Sequence, residues 1–156
     1  MTDLSGFDHR QWMREAIDLS RHCPPAATAF SVGAIIVGAE GTVLATGYSR
    51  ESDPREHAEE AALRKLPTDD PRLATATVYS SLEPCSKRAS RPATCTQLIL
   101  RAGIPAVVFG LREPLLFVDC DGAETLRAAG VSVTELPEFA ERVRAINHHL
   151  LDRPSV

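Results

Sequence analysis

Hydrophobic residues in the first part of the chain follow the spacing of an amphipathic helix. Asp8, followed three residues later by Gln11, resembles a capping box. Apolar side chains then recur at helical spacing at Trp12, Met13, Ala16, Ile17 and Leu19. Two prolines follow at residues 24 and 25, and proline does not continue a helix. We therefore expect a first helix that begins near Asp8 and ends at about residue 21.

Strand-like and helical segments alternate through the rest of the chain. Apolar runs at residues 31–37 and 42–48, joined by Gly38-Ala39-Glu40-Gly41, predict a β-hairpin. Further strands are predicted at residues 76–81, 106–110 and 131–136. Helices are predicted at residues 56–66, 95–102 and 123–129, with a last helix from residue 137 or 138 to residue 151. This order predicts an α/β fold, a three-layer α/β/α sandwich around a central sheet of about five strands.

Length and composition narrow the class of protein. The 156 residues are expected to form a single domain, residues 1–156. Residues 1–6 contain neither a basic region nor a long apolar run, and no later stretch approaches the roughly 18 apolar residues of a membrane span. We therefore expect a cytoplasmic protein without a membrane partner. The net charge of −4 argues against a surface built to hold nucleic acid. The sequence indicates ordinary thiols at Cys23 and Cys120, and capping or surface roles for His148 and His149.

Four residues form a pattern that is typical of a hydrolytic zinc site. His57 and Glu59 lie in an H-A-E triplet, Cys85 follows a proline after a strand-like run, and Cys95 comes next. His57, Cys85 and Cys95 would give zinc three protein ligands and leave a fourth position for water, while Glu59 could move protons. An H-x-E triplet alone is a weak signal, and solvated acids with buried thiols are the alternative; the conjunction of the elements favours zinc.

The spacing of His57 and Glu59 constrains where their helix begins. Two residues apart within a helix point to nearly opposite sides, so His57 must lie at the start of the helix if both serve one site. We therefore expect a start at about Glu56 or His57, although Asp53 followed by Pro54 resembles an earlier N-cap. Helix N-termini also favour thiolate over thiol at metal-binding cysteines.

These motifs, on a hairpin followed by α/β units, resemble the zinc-dependent cytidine deaminase superfamily. The resemblance implies that His57, Cys85 and Cys95 hold zinc, which activates water to attack the amine-bearing ring carbon. It also implies that Glu59 protonates the ring nitrogen and then the departing ammonia. Nine residues separate the two cysteines, whereas the P-C-x-x-C form has two. This long loop resembles the inter-cysteine loop in the deaminase domain of the riboflavin-pathway bifunctional deaminase/reductase. That resemblance implies hydrolysis of an aminopyrimidine that carries a ribityl or ribosyl phosphate, with only the deamination half present.

The residues that would contact substrate depart from that family's pattern. Ala29-Phe30 replaces its Asn-Pro, Ser49 replaces its histidine, and Lys87-Arg88 replaces paired histidines, whereas Arg91 matches an arginine of its loop. We expect substrate contacts at Phe30, Ser49, Ala58, Lys87, Arg88 and Arg91, with the cations available to a phosphate. A rebuilt pocket could also accept a cytosine nucleoside or nucleotide, or an aminopurine.

Two other classes of function stay open from the sequence. One is a catalytically silent zinc-stabilised binding module, against which the intact Glu59 argues. The other is a nucleic-acid editing enzyme, which the acidic balance and the absence of an aromatic stacking run disfavour. The resemblance further implies a homo-oligomer, a dimer or a tetramer, acting on a small-molecule substrate.

Overall fold

The computed structural model describes residues 5–27, 29–85, 93–112 and 121–151, and these contain a five-stranded sheet with helices on both faces. The strands are β1 (Gly33–Val37), β2 (Val43–Tyr48), β3 (Thr77–Leu82), β4 (Ala106–Leu111) and β5 (Ser132–Glu135). The α-helices are α1 (Ser5–Ser20), α2 (Ala58–Leu63), α3 (Cys95–Ala102), α4 (Gly122–Ala128), α5 (Ala140–Ile146) and α6 (His148–Leu151). Short 3-10 helices cover Pro71–Thr75 and Pro137–Phe139.

The sheet combines an antiparallel hairpin with parallel strands, in the order β2-β1-β3-β4-β5. β1 pairs antiparallel with both β2 and β3, with Ala34 opposite Gly47 on one side and Ser80 on the other. β3, β4 and β5 are parallel and are connected through helices. Parallel strands need such crossovers, and a sheet covered on both faces has apolar strands. β1 is accordingly buried along its whole length.

Two apolar clusters, one on each face of the sheet, form the core. On one face, Met13 and Ile17 of α1 and Val143 of α5 pack with Ile35 and Tyr79. On the other face, the cluster contains residues of α2, α3 and α4, namely Ala62, Ile99 and Leu126, together with Ile36, Val78 and Val107 of the sheet. The prediction of a three-layer α/β/α sandwich with five strands is therefore confirmed.

The start of α2 lies where the sequence predicts it, and local contacts explain why. Asp53 and Pro54 form a turn instead of a helix start, since the backbone N–H of Glu56 donates to the carbonyl of Asp53 at 3.0 Å. The helix begins at Ala58 with His57 as its N-cap. The Glu60 carboxylate accepts a hydrogen bond from the His57 backbone N–H at 3.2 Å. The imidazole of His57 therefore lies at the mouth of the helix.

Several of the predicted helix boundaries are wrong, and α2, for example, ends at Leu63 and not at residue 66. The first helix begins at Ser5, so Asp8 lies inside the helix and is not its N-cap. The last helix is broken into α5 and α6 at Asn147. The amide of the fully buried Asn147 accepts from Ser31 N at 2.7 Å and donates to Ser31 O at 3.2 Å. These contacts tie Asn147 to the chain ahead of β1.

In the part of the chain that the structure describes, no helix is both long and apolar enough to cross a membrane.

Candidate metal centre and active site

Three of the predicted site residues meet at the same edge of the sheet. His57 precedes α2, Cys85 follows β3, and Cys95 is the first residue of α3. The His57 Nδ1 lies 3.5 Å from the Cys85 Sγ and 3.4 Å from the Cys95 Sγ. The three donor atoms all lie within 4.8 Å of one another, and within the described ranges no other group of three His, Cys, Asp or Glu side chains does so.

The spacing and chemistry of these donors fit a zinc ion. Zinc binds thiolate sulfur at about 2.3 Å and imidazole nitrogen at about 2.0–2.1 Å in a tetrahedral arrangement, which separates a nitrogen and a sulfur ligand by about 3.6 Å. The observed separations of 3.4 and 3.5 Å agree with that value. Both thiols are free rather than joined in a disulfide. The site thus offers the ligand set of an open zinc centre, which has three protein ligands.

Hydrogen bonds at Cys85 favour the thiolate form that a metal requires. Hydrogen bonds from the Cys95 thiol, from His57 and from the Cys95 backbone lower the pKa of Cys85 to about 4. The backbone N–H of Cys95 also donates to the Cys85 Sγ at 3.3 Å. Conversely, the hydrogen bond to Cys85 and burial raise the pKa of Cys95. Metal binding requires the thiolate form of both cysteines, and a bound cation favours that form.

Glu59 lies beside this cluster and is almost fully buried. Its side chain is buried, with 4 % of the residue exposed, and burial together with the negative charge of Cys85 raises the pKa of its carboxyl group. The Ser80 Oγ lies 3.2 Å from the Glu59 Oε1. A buried carboxyl group held next to the metal ligands is suited to taking up and delivering a proton.

Glu83 holds the chain on the approach to Cys85, a role that we did not predict from the sequence. Its side chain is fully buried, and the Oε2 atom accepts a hydrogen bond from the Ala123 backbone N–H at 2.8 Å. Arg112 lies 3.7 Å from the same oxygen. Gly122 packs so closely on this segment that a Cβ atom there would lie 2.0 Å from the Pro84 carbonyl oxygen. The start of α4 therefore fixes the position of the Cys85 segment.

The chain before β1 contains Phe30, one of the expected substrate contacts, and side chains from distant elements hold it. Phe30 is partly buried and packs on the cluster around α1. The Ser49 hydroxyl accepts from the Val32 backbone N–H at 2.9 Å and is itself buried. The His149 Nε2 contacts the Ala29 carbonyl at 3.0 Å. Phe30 and Ser49 thus lie on adjoining segments, and the contact of His149 with the Ala29 carbonyl is a long-range contact that the sequence did not predict.

Arg50 joins this segment to the loop before α2. Its guanidinium donates to the Pro24 carbonyl from Nε and Nη2, at 3.1 and 2.8 Å, and to the Phe30 carbonyl at 3.0 Å. A further bond reaches the Ser31 hydroxyl at 3.1 Å. The backbone of Arg50 has a φ of 61°, and its N–H donates to the Glu56 carbonyl at 2.7 Å. Arg50 therefore connects the Phe30 segment with the residue that precedes His57.

The remaining predicted site residues divide into two groups. Ala58 is fully buried as the first residue of α2, between His57 and Glu59. Lys87, Arg88 and Arg91 lie outside the described residues, as does Cys120. Cys23 is a free thiol whose Sγ lies 3.5 Å from the Val32 carbonyl oxygen. The structure therefore brings together His57, Glu59, Cys85 and Cys95, whereas substrate contacts stay predictions.

The comparisons with known proteins agree with this geometry. Residues 7–111 match the family described as the cytidine and deoxycytidylate deaminase zinc-binding region, and the chain belongs to that family. This membership confirms the predicted superfamily and, with the donor set above, the prediction of zinc as the cofactor.

The similar proteins include a named deaminase and a deaminase/reductase. The diaminohydroxyphosphoribosylamino-pyrimidine deaminase of Schizosaccharomyces pombe is 42% identical over 142 residues, which cover 88% of this chain and 34% of that protein. The chain spans about a third of the length of this curated relative. Among solved structures, the deaminase/reductase of Thermotoga maritima is 29% identical with a TM-score of 0.76, over 94% of this chain and 42% of that one. The Rib2 deaminase of Aspergillus oryzae, solved in complex with DARIPP, is 27% identical with a TM-score of 0.68, over 93% of this chain and 98% of that one. These similarities confirm the expected resemblance to riboflavin-pathway deaminases.

Proposed function

We propose that this chain is a zinc-dependent hydrolytic deaminase that releases ammonia from an aminopyrimidine bearing a ribosyl or ribityl phosphate, as in riboflavin biosynthesis. The observation that carries the proposal is the convergence of one imidazole, two thiols and a buried carboxyl group at one edge of the sheet. The names of the similar proteins supply the substrate class, since one is a diaminohydroxyphosphoribosylamino-pyrimidine deaminase and another is a deaminase solved with DARIPP.

The metal would be held by His57, Cys85 and Cys95. When bound at such a site, zinc lowers the pKa of a water molecule and so makes it a nucleophile near neutral pH. The chain supplies the geometry for this chemistry. His57 is fixed as the N-cap of α2, and Cys95 is fixed as the first residue of α3, where the capping box of Thr94 and Gln97 holds the helix start.

Glu59 is proposed as the residue that moves protons during the reaction. In a hydrolytic deamination, water adds to the ring carbon that bears the amine, the carbon–nitrogen bond breaks, and ammonia leaves as the carbonyl forms. Glu59 would accept a proton from the attacking water and deliver it to the ring nitrogen. It would then take the proton of the hydroxyl group formed on the ring carbon and pass it to the departing amine. The carboxyl group returns to its starting state, so the overall reaction converts the aminopyrimidine and one water molecule into the carbonyl product and ammonia.

Phe30, Ser49 and Ala58 are proposed to border the substrate, and Lys87, Arg88 and Arg91 to meet its phosphate. The positions of the residues support the first group. Ala58 lies between His57 and Glu59, and Arg50 joins the chain around Phe30 to the loop that precedes His57. The support for the second group is the charge of three cations close in sequence to Cys85 and Cys95. A cytoplasmic location, a single domain and a homo-oligomer stay predictions.

An ammonia-release assay on zinc-loaded protein tests this proposal. The panel should contain diaminohydroxyphosphoribosylaminopyrimidine and its ribityl counterpart, each with and without phosphate, together with dCMP, cytidine and an aminopurine. We expect release from the phosphorylated diaminopyrimidines and a strong loss when the phosphate is removed. Glu59→Gln should keep the zinc and lose the activity. Absence of release by the wild-type protein from every compound would favour a zinc-stabilised binding module instead.

A further inference from the structure

A serine on the central strand lies against the proposed catalytic carboxyl group. Ser80 is fully buried in β3, and its Oγ lies 3.2 Å from the Glu59 Oε1 and 2.7 Å from the Leu82 carbonyl oxygen. Successive side chains of a strand point to opposite faces of the sheet. Val78, two residues earlier, packs with the α2 and α3 cluster, so Ser80 points toward the layer that carries Glu59.

The hydrogen-bonding capacity of Ser80 determines what it can do there. A serine hydroxyl has one proton to donate and two lone pairs to accept with, whereas the Leu82 carbonyl can only accept. The single Ser80 proton lies within reach of two acceptors, the Leu82 carbonyl oxygen and the Glu59 Oε1, so the hydroxyl can donate to either of them. When it donates to Oε1, it binds that oxygen of the carboxyl group directly.

This contact fixes the orientation of the Glu59 carboxyl group. A carboxyl group can rotate about its last bond, and reacting groups need one of its oxygens in a defined place. Ser80 holds Oε1 against the rigid centre of the sheet, where β3 pairs with both β1 and β4. The other oxygen is then free to meet the water and the substrate nitrogen. Misplacing a reacting group by about 1 Å is sufficient to slow an enzyme on the order of 100-fold.

We propose that Ser80 is a positioning residue for deamination, which acts by holding Glu59 in its productive orientation. This inference rests on the proposed function, because it takes Glu59 as the proton-transfer residue. The zinc-site motif does not contain Ser80. The sequence marks this residue only by a pair of serines, Ser80 and Ser81, that interrupts an apolar strand. A purely structural alternative is that Ser80 serves only to satisfy the Leu82 carbonyl.

A matched set of variants separates these two roles. Ser80→Ala removes the hydroxyl, and Ser80→Thr keeps it. Ser81→Ala is the control, because Ser81 is an equally buried neighbour whose Oγ accepts from the Gly33 backbone N–H at 3.1 Å. For each purified holoenzyme, kcat, KM, zinc content and melting temperature are measured with a substrate that the wild-type protein deaminates.

We expect Ser80→Ala to lower kcat on the order of 10-fold or more, with KM and zinc content within about twofold of wild type. Ser80→Thr should keep most of kcat, and Ser81→Ala should lower the melting temperature without lowering kcat. In a Glu59→Asp background, whose shorter side chain withdraws from Ser80, the alanine substitution should cost little further.

Three results would overturn the role of Ser80. The first is an alanine variant with wild-type kcat, the second is a threonine variant that loses as much kcat as the alanine variant, and the third is a loss of kcat that accompanies a loss of zinc. A wild-type protein that releases no ammonia would instead count against the proposed function. The two failures are thus distinguishable.

Discussion

Gly47 offers a sensitive test of how the sheet positions the site, because α2 packs directly on it. A Cβ atom at Gly47 would lie 2.4 Å from the Ala58 carbonyl oxygen and 2.5 Å from the Ala62 backbone nitrogen. Ordinary van der Waals contact begins at 3.4 Å, so Gly47→Ala requires a displacement of about 1 Å. β2 is held in the sheet by its pairing with β1. The six-residue α2 is therefore the element that must move.

The displacement would carry two site residues with it. His57 is the N-cap of α2, and Glu59 is its second residue. A shift of about 1 Å in reacting groups costs on the order of 100-fold in rate, which corresponds to about 2.7 kcal/mol of transition-state stabilisation. Overpacking of the core should lower the free energy of unfolding by about 1–3 kcal/mol as well. We expect Gly47→Ala to fold with lower stability, to bind zinc more weakly and to lose most of its kcat.

Urea unfolding, zinc content after dialysis against a metal buffer, and steady-state ammonia release measure these three effects. Gly38→Ala is the matched control from the same hairpin, since a Cβ atom there would meet its nearest neighbour, a Leu44 side-chain carbon, at 3.4 Å. The control should match wild type in zinc content and kcat. If Gly47→Ala retains wild-type zinc affinity and kcat, the argument that close packing of α2 sets the site geometry is wrong.

Four further predictions concern single side chains. Cys95→Ser should leave less than one zinc per chain after dialysis, as measured by atomic absorption, because a hydroxyl is a poor substitute for a thiolate ligand. Glu83→Gln should lower the free energy of urea unfolding by about 1–3 kcal/mol, since charge-assisted bonds in a buried site are lost. Asn147→Ala should cost about 2–4 kcal/mol in the same assay, because it removes three hydrogen bonds and leaves buried backbone groups unpaired. Hydrogen bonds from Arg72 lower the pKa of Asp70 below its ordinary value of 3.8. The stabilisation from these bonds should therefore be complete near neutral pH and disappear as the pH falls below about 4. The difference in melting temperature between wild type and Asp70→Asn should shrink over that range, and a constant difference would contradict the assignment.

The sequence predicted those features that local chemistry determines. The α3 boundaries agree with the structure, because a capping box at Thr94 begins the helix and Gly103, with a φ of 75°, ends it. The start of α2 followed from the requirement that His57 and Glu59 serve one site. The metal ligands were identified because zinc chemistry restricts them to a few residue types in a recognisable order.

Features that depend on distant contacts could not be predicted. The break at Asn147 arises from hydrogen bonds to Ser31, 116 residues away in the chain. The contact between Ser80 and Glu59 spans 21 residues and depends on the register of β3 beside α2. Glu83 is part of the recognised motif. Its hydrogen bond to the Ala123 backbone N–H depends on the fold, which brings the start of α4 next to the residues before Cys85.

The backbone and the side chain of Arg50 favour different residue types at this position. The left-handed backbone at this position is the conformation that glycine adopts most readily, and another residue there costs on the order of 1 kcal/mol or more. Glycine, however, would abolish the guanidinium bonds, and lysine cannot reproduce their forked geometry. Evolution therefore has few alternatives here, and a deep mutational scan should find this position among the least tolerant of the chain, even though arginine is ordinarily a replaceable surface residue.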